Sequence, residues 1–404
     1  MNRQPFQKPP HWWPPKLSPW WIRFWRPLRK RQQVNVQRLL DVGVYGVEHV
    51  RTAIAENCGV LITPNHSSHA DCYSTYEAVE RVGVPFYIMV AWQVFQRGSP
   101  LRRLSLQHHG CFSIDREGTD LQAFRRAVEI LESRPNPLVV FPEGEVYHCN
   151  ERLTPFREGP AAMALLAVRK ANRPIVCIPC AMKYRYLESP MPDLLQLMDE
   201  LERAIHWRPR PDLAFAERIY HFAEGALALK EIEYLGHTGS GPLPKRLAEL
   251  TGFILGRIEA RHGLDGHAAT VPERVKMLRH HLIQRLEALT EEDSKRRQCE
   301  EELDDVFLVV QLFSYPGNYV GERPSLERMA ETLDKFEEDV LDAPTATIRG
   351  TRKATVVFGE PIRVVGERSK DAAANLTRLL EQRVQALLDT SETSSQHHDK
   401  TIAG

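Results

Sequence analysis

The sequence predicts an α/β protein on a largely parallel sheet, joined to a long all-helical stretch. Three observations predict it. Between 42 and 187, short apolar runs alternate with helical stretches, as strands joined by crossover helices do. From about 188 to 347 the pattern is helical, with few strand signals. Strand character then returns at 353–365. The chain has 404 residues, 42% hydrophobic and 26% charged, which suits two domains or one domain with a large insertion and excludes a mostly disordered chain.

Residues 1–32 are rich in Pro, Trp and Arg. Pro14, Pro15, Pro19 and Pro27 prevent one long helix. "VGVYGVEHV" (42–50) alternates like a strand, and "GVLITP" (59–64) is a short buried-strand run ending at Asn65-His66. "FYIMVAW" (86–92) and "CFSID" (111–115) are further strands. Leu121, Phe124, Val128 and Leu131 share one helical stripe within 119–133. "PLVVF" (137–141) runs into Pro142-Glu143-Gly144. A helix over 159–171 precedes the strand "RPIVCIPCAM" (173–182).

The helical stretch carries three stripes: Leu247, Leu250, Ile254 and Ile258; Val275, Leu278, Leu282, Leu286 and Leu289; and Leu326, Met329, Leu333, Phe336 and Val340. Gly- and Pro-containing turns at 235–244, 262–272 and 314–325 punctuate it. "KATVVFGEPIRVV" (353–365) has a strand–turn–strand pattern. Leu376, Leu379, Leu380, Val384 and Leu387 predict a last helix, and the polar 390–404 a disordered tail.

Acidic and basic residues balance at 53 each, so net charge points to no nucleic acid. The distribution says more. Residues 1–40 hold nine Lys/Arg and no Asp or Glu, and five of the seven Trp lie in the first 25 residues. Trp beside Arg suits a membrane–water interface, where rings sit at headgroup depth and cations meet anionic lipid. The alternative is a tail packed on its own protein. No apolar run approaches the ~18–20 residues that span a bilayer, and no secretory signal pattern opens the chain. The seven Cys are scattered. Only Cys177 and Cys180 are close, and in a strand they face opposite ways, which argues for buried thiols in a reduced, cytosolic protein and against a metal site.

His66 and Asp71 lie five apart where the 59–64 strand gives way to a helix. Imidazole is a general base near neutral pH when a carboxylate fixes its tautomer. Five residues do not share a helical face, but a turn can return Asp71 to His66. The competing reading is a helix N-cap from Ser67, Ser68 or Asp71, and His69 is an alternative base. Asp115-Arg116 end one strand, and the acidic turn at Glu143-Gly144 ends another. Arg at a strand end is able to bind a phosphate bidentately and a helix start adds backbone donors, which makes Arg116 and Arg157 candidates. The competing readings are a surface ion pair for Arg116 and a turn residue for Glu143.

In order and spacing these blocks resemble the glycerolipid acyltransferase family, whose members include bacterial lysophosphatidic acid acyltransferases. Asn65, His66 and Asp71 match Asn-His-x-x-x-x-Asp. Gly110, Phe112, Ile114, Asp115 and Arg116 match Gly-x-Phe-x-Ile-Asp-Arg. Phe141, Pro142, Glu143 and Gly144 match Phe-Pro-Glu-Gly, and Ile178-Pro179 fits a looser fourth block. Phe358-Gly359-Glu360-Pro361-Ile362 matches a later piece of the family that stands here some 160 residues late.

The resemblance therefore implies a mixed, largely parallel sheet flanked by helices, interrupted by a helical insertion. The expected division is a Trp/Arg-rich interfacial segment at 1–41, an acyltransferase domain at 42–187, a helical insertion at 188–350, the domain's closing strand and helix at 351–389, and the tail at 390–404.

The resemblance further implies transfer of a fatty acyl group from acyl-CoA or acyl carrier protein to a glycerolipid hydroxyl, with 1-acyl-sn-glycerol-3-phosphate the family's commonest acceptor. His66 would be the base and Asp71 its orienter. Asn65, Gly110, Phe112, Asp115, Arg116, Phe141, Pro142, Glu143, Gly144 and Arg157 would shape the substrate site. No metal or cofactor is implied. The expected partners are a lysophospholipid or glycerol phosphate, the thioester donor and a membrane surface, on whose cytoplasmic face the protein would sit peripherally. The sequence departs from the family at Glu145-Val146, where many members have Thr followed by Arg or Ser. It departs again at 89–100, where a Lys is common in the family and Arg97 is the nearest cation. A thioester or lipid hydrolase, or a non-catalytic lipid binder, are the competing functions.

Overall fold

The computed structural model describes residues 7–402 apart from 8, 117–119, 267–269, 291–292, 323 and 367, with Ser294 and 391–402 described by backbone alone. The chain divides into two compact units, one formed by 9–189 with 348–404, the other built around 190–347.

The first unit opens with two short helices, α1 (Pro19–Phe24) and α2 (Arg26–Asn35). Then follow β1 (Leu39–Tyr45), α3 (Val47–Ala55), β2 (Gly59–Pro64), α4 (Asp71–Val82), β3 (Tyr87–Ala91), α5 (Trp92–Gln96), α6 (Pro100–His108), β4 (Cys111–Ile114), α7 (Leu121–Ser133), β5 (Leu138–Val139), α8 (Gly159–Lys170) and β6 (Ile175–Tyr186). The sheet runs β1, β7, β6, β2, β5, β3, β4, with β7 (Arg352–Phe358) supplied by the chain's return; β8 (Ile362–Arg363) pairs beside β6, and α16 (Ala372–Ile402) follows. The pairings β1–β7, β6–β2, β2–β5, β5–β3 and β3–β4 are parallel, whereas β6–β7 and β6–β8 are antiparallel. This is a mixed, mostly parallel sheet flanked by helices.

Strand alternation sorts the core into two layers. Val60, Ile62, Ile178 and Cys180 face α3 and α4, packing with Val50, Ala53, Ala78 and Val79. Leu61, Ile175 and Cys177 face the other way, with Ala127 of α7, Ala164 of α8 and Leu380 of α16. Cys177 and Cys180 thus lie on opposite sides of the sheet, and all seven cysteines are free thiols. Leu61 and Ile62 are at most 1% exposed, and each such side chain contributes about 1.5–3 kcal/mol through burial.

The strand expected over 42–50 ends at Tyr45. Gly46 has φ of +70°, and a Cβ there would stand against the Phe358 carbonyl oxygen. This left-handed turn starts α3 at Val47, so the second half of the alternating run is helix. α16 extends through the stretch expected as a disordered tail from 390, reaching Ile402; 403–404 lie outside the described residues.

The N-terminal segment is split in its exposure. Trp13 is 5% exposed and stacks on Phe95 at 5.3 Å. Its backbone N–H donates to Ser113 Oγ at 2.9 Å, its carbonyl accepts from Ser113 N at 3.1 Å, and Trp12 Nε1 donates to the Ser113 carbonyl at 3.0 Å. This stretch therefore covers β4, the edge strand, whose unpaired backbone would otherwise be open. Packing on the protein itself accounts for Trp12 and Trp13. Trp20 and Phe24 remain 67% and 57% exposed. Residues 1–6 and 8 of the expected interfacial segment lie outside the described residues.

The regular elements of the second unit, among its described residues, are helices: α9 (Met191–Ala204), α10 (Phe215–Leu235), α11 (Leu243–His262), α12 (Val271–Ala288), α13 (Ser294–Phe313), α14 (Tyr319–Glu322) and α15 (Leu326–Val340). Ile254 and Ile258 of α11, Leu278 and Leu282 of α12, and Val306 and Val309 of α13 share its core. The apolar run 306–313 is spent on this core. Buried Arg218–Glu202 and Arg246–Glu231 pairs tie α10 to its helical neighbours α9 and α11.

Candidate active site

The parallel strands β2, β4 and β5 end on one edge of the sheet, the edge where open α/β folds bind ligands. Asn65 and His66 follow β2, Asp115 and Arg116 follow β4, and residues 141–147 follow β5.

Asp71 heads α4, and Ala70, not a side chain, occupies the N-cap position. The chain turns between His66 and Asp71 so that His66 Nδ1 lies 2.7 Å from Asp71 Oδ2. That oxygen also accepts Ser68 N–H at 3.2 Å, and Asp71 Oδ1 accepts the Tyr184 hydroxyl at 2.6 Å. Asp71 is 1% exposed, whereas the His66 side chain is 24% exposed. The carboxylate therefore fixes the proton on Nδ1 and leaves Nε2 as the basic nitrogen. The Phe141 ring lies 4.3 Å from the imidazole and covers it.

Glu143 holds the loop against His66. Its Oε1 accepts His66 N–H at 2.7 Å and its Oε2 accepts Thr154 N–H at 3.0 Å. Burial pushes its carboxyl up to about 8, against the pull of those two donors. The Tyr147 N–H donates to the His66 carbonyl at 3.3 Å, closing the loop on the same residue.

Asn side chains register the far side. Asn65 donates to the Met182 carbonyl at 2.9 Å and accepts Met182 N–H at 2.7 Å. Asn150 repeats the device two residues on, donating to the Tyr184 carbonyl at 2.6 Å and accepting its N–H at 2.8 Å. Tyr184 is fixed at both backbone and hydroxyl, and Ser74 Oγ lies 2.9 Å from that hydroxyl. Burial, then the neighbouring Asp71 charge, hold the Tyr184 phenol well above its ordinary value, so it remains a donor.

Cations line the outer side. Arg116 Nη1 donates to the Gly144 carbonyl at 2.6 Å and lies 2.5 Å from Glu145 Oε2. Gly144 takes φ of +83°, which favours glycine, and the Arg157 guanidinium lies against it, 2.6 Å from where a Cβ would stand. Arg157 N–H donates to the Pro142 carbonyl at 2.9 Å, which brings Arg157 beside the loop.

Of the residues expected to shape the substrate site, the fold brings Asn65, Arg116, Phe141, Pro142, Glu143, Gly144 and Arg157 to the loops on the His66–Asp71 edge. Asp115 follows β4 on that edge, where its N–H donates to Asp120 Oδ2 at 2.9 Å. Two others lie elsewhere. Gly110 precedes β4, at the opposite end of the strand, where a Cβ would meet the Phe86 carbonyl oxygen at 2.4 Å. Phe112 is 0% exposed and packs with Leu61 and Met89 in the core. Both build the sheet that carries Arg116. Asn65 and Glu143 spend their polar atoms on backbone groups, so they position His66 and do not face a substrate. Tyr184 and Asn150 were not found from the sequence: Tyr184 stands 113 residues from Asp71 in an apolar strand with no local motif.

Residues 41–183 match the family model described as Acyltransferase. The matched stretch resembles an acyltransferase domain and holds His66, Asp71 and the whole 141–157 loop. No curated protein matches the chain.

Proposed function

We propose that the protein transfers a fatty acyl group from an acyl thioester, carried by coenzyme A or acyl carrier protein, to the hydroxyl of a glycerolipid acceptor. The observation that carries this reading is the 2.7 Å His66–Asp71 contact at the ligand-binding edge of a parallel sheet, inside the family-matched residues. In this reading the acceptor hydroxyl gives its proton to His66 Nε2 as its oxygen attacks the thioester carbonyl. Asp71 supports the imidazolium that forms. The carbon–sulfur bond breaks, the thiolate takes the proton back from Nε2, and an ester remains. No covalent acyl-enzyme is needed. Among acceptors, the sequence resemblance favours 1-acyl-sn-glycerol-3-phosphate, giving phosphatidic acid, with Arg116 and Arg157 as its phosphate ligands.

Amphiphilic substrates require access to a membrane. No helix among the described residues is long and apolar enough to cross one. The support for peripheral binding is an exposed apolar strip on the first unit: Trp20, Phe24 and Leu28, with Leu101 and Leu104 of α6. Trp21 joins α1 to α6 through Ser105 Oγ at 3.3 Å, and Arg23 and Arg31 are exposed beside the aromatic residues.

One experiment tests both parts. The protein is incubated on anionic vesicles with labelled oleoyl-CoA or oleoyl-acyl carrier protein and a panel of lyso-lipids. The expected product, read by mass spectrometry, is an esterified lipid; free fatty acid alone would make it a hydrolase. The Trp20→Ala/Phe24→Ala protein should leave the vesicle pellet, and its full retention there would contradict the membrane reading.

A further inference from the structure

The two cations of the site already share an anion. Glu145 Oε2 lies 2.5 Å from Arg116 Nη1, the same nitrogen that donates to the Gly144 carbonyl at 2.6 Å. Arg157 packs its guanidinium against Gly144, the residue before Glu145. Burial works to raise the Glu145 carboxyl, but the Arg116 and Arg157 charges outweigh it and hold it below its ordinary value. Glu145 is therefore ionised at neutral pH.

A phosphomonoester needs those same arginine donors. It brings about two negative charges beside a carboxylate tethered next to Gly144, and like charges in a half-buried site repel strongly. Binding it requires Glu145 to leave Arg116. An uncharged polyol headgroup meets no such conflict, because its hydroxyls donate to the carboxylate.

We infer that Glu145 is a specificity-determining residue that sets the acceptor site against a phosphomonoester and in favour of a lyso-lipid with an uncharged, hydroxyl-bearing headgroup. This rests on the acyl-transfer reading and narrows its acceptor away from the one the resemblance suggests.

The test compares 1-oleoylglycerol with its 3-phosphate as acceptors for wild-type protein, Glu145→Gln and Glu145→Ala. Wild type should show the higher kcat/KM with 1-oleoylglycerol. Each variant should shift the ratio toward the phosphate by about tenfold, the size of one close charge contact. A wild-type preference for the phosphate, or an unshifted ratio in both variants, overturns the inference. Calorimetric titration with glycerol 3-phosphate reads the same point without turnover. Tighter binding by the variants supports it, and equal binding or none by all three proteins overturns it. If neither acceptor is acylated, the acyl-transfer reading fails, and the titration still decides the role of Glu145.

Discussion

The two sides of the site are built differently. On the His66 side the groups are held by short hydrogen bonds to buried carboxyls: Asp71 takes Ser68 N–H, the imidazole and the Tyr184 hydroxyl, and Glu143 takes two backbone N–H groups. On the Arg116 side the groups are half-buried or exposed, and the main contact is an ion pair with Glu145. The proposed proton transfer needs one fixed geometry, and His66 is held by hydrogen bonds that cost about 1–3 kcal/mol each to leave unmade. The Arg116–Glu145 pair is accessible and contributes little to the fold, so it can be altered without unfolding the protein.

That contrast is most readily broken at Glu143. Glu143→Ala leaves His66 N–H and Thr154 N–H without their acceptor, at about 1–3 kcal/mol for each group that stays buried. The expected outcome is a lowered Tm together with a large loss of kcat. The pH dependence sharpens the point. The Glu143 carboxyl sits at about 8 in the fold against an ordinary 4.5. A group raised in the folded state contributes its stability fully below the ordinary value and loses it as pH rises through the folded value. Stability should therefore decline between about pH 5 and 8 in wild type, and Glu143→Gln should flatten that decline in thermal melts across this range. An equal slope in the two proteins would assign it elsewhere.

A smaller effect is expected at Tyr184. Tyr184→Phe removes one donor from Asp71 and keeps the packing, so about 1–2 kcal/mol of orientation is lost. The prediction is a roughly tenfold fall in kcat with little change in KM, since Tyr184 is buried and reaches His66 through Asp71. A change in KM alone would place Tyr184 with the substrate and would blur the distinction between the two sides.

The legible parts of this molecule are those with local periodicity. β2 occupies the run 59–64 as expected, and α11, α12 and α15 carry the three apolar stripes. The fold class follows from the same patterns. What was misread depends on partners distant in sequence. Alternation over 42–50 does not reveal that Gly46 turns left-handed against the Phe358 carbonyl, where no Cβ fits. Nothing local in Trp12-Trp13 announces the exposed edge of β4 that they cover. In the site, His66 and Asp71 stood out through a spacing that a turn can close. Gly110 and Phe112 belong to the same family block as Arg116, yet they serve the sheet: strand alternation puts Phe112 in the core, and the turn puts Gly110 at the other end of β4. Tyr184 and Asn150 meet Asp71 and β6 only through tertiary structure, so no spacing signals them.

The central claim is that His66, oriented by Asp71, removes the proton from an acceptor hydroxyl during acyl transfer. The most direct test measures esterified product from oleoyl-CoA by wild-type and His66→Ala proteins, with matching circular dichroism to show that both are folded. The account predicts a loss of about 10²–10⁴-fold in the variant, the range for removing a general base. Equal turnover by the two folded proteins would contradict it.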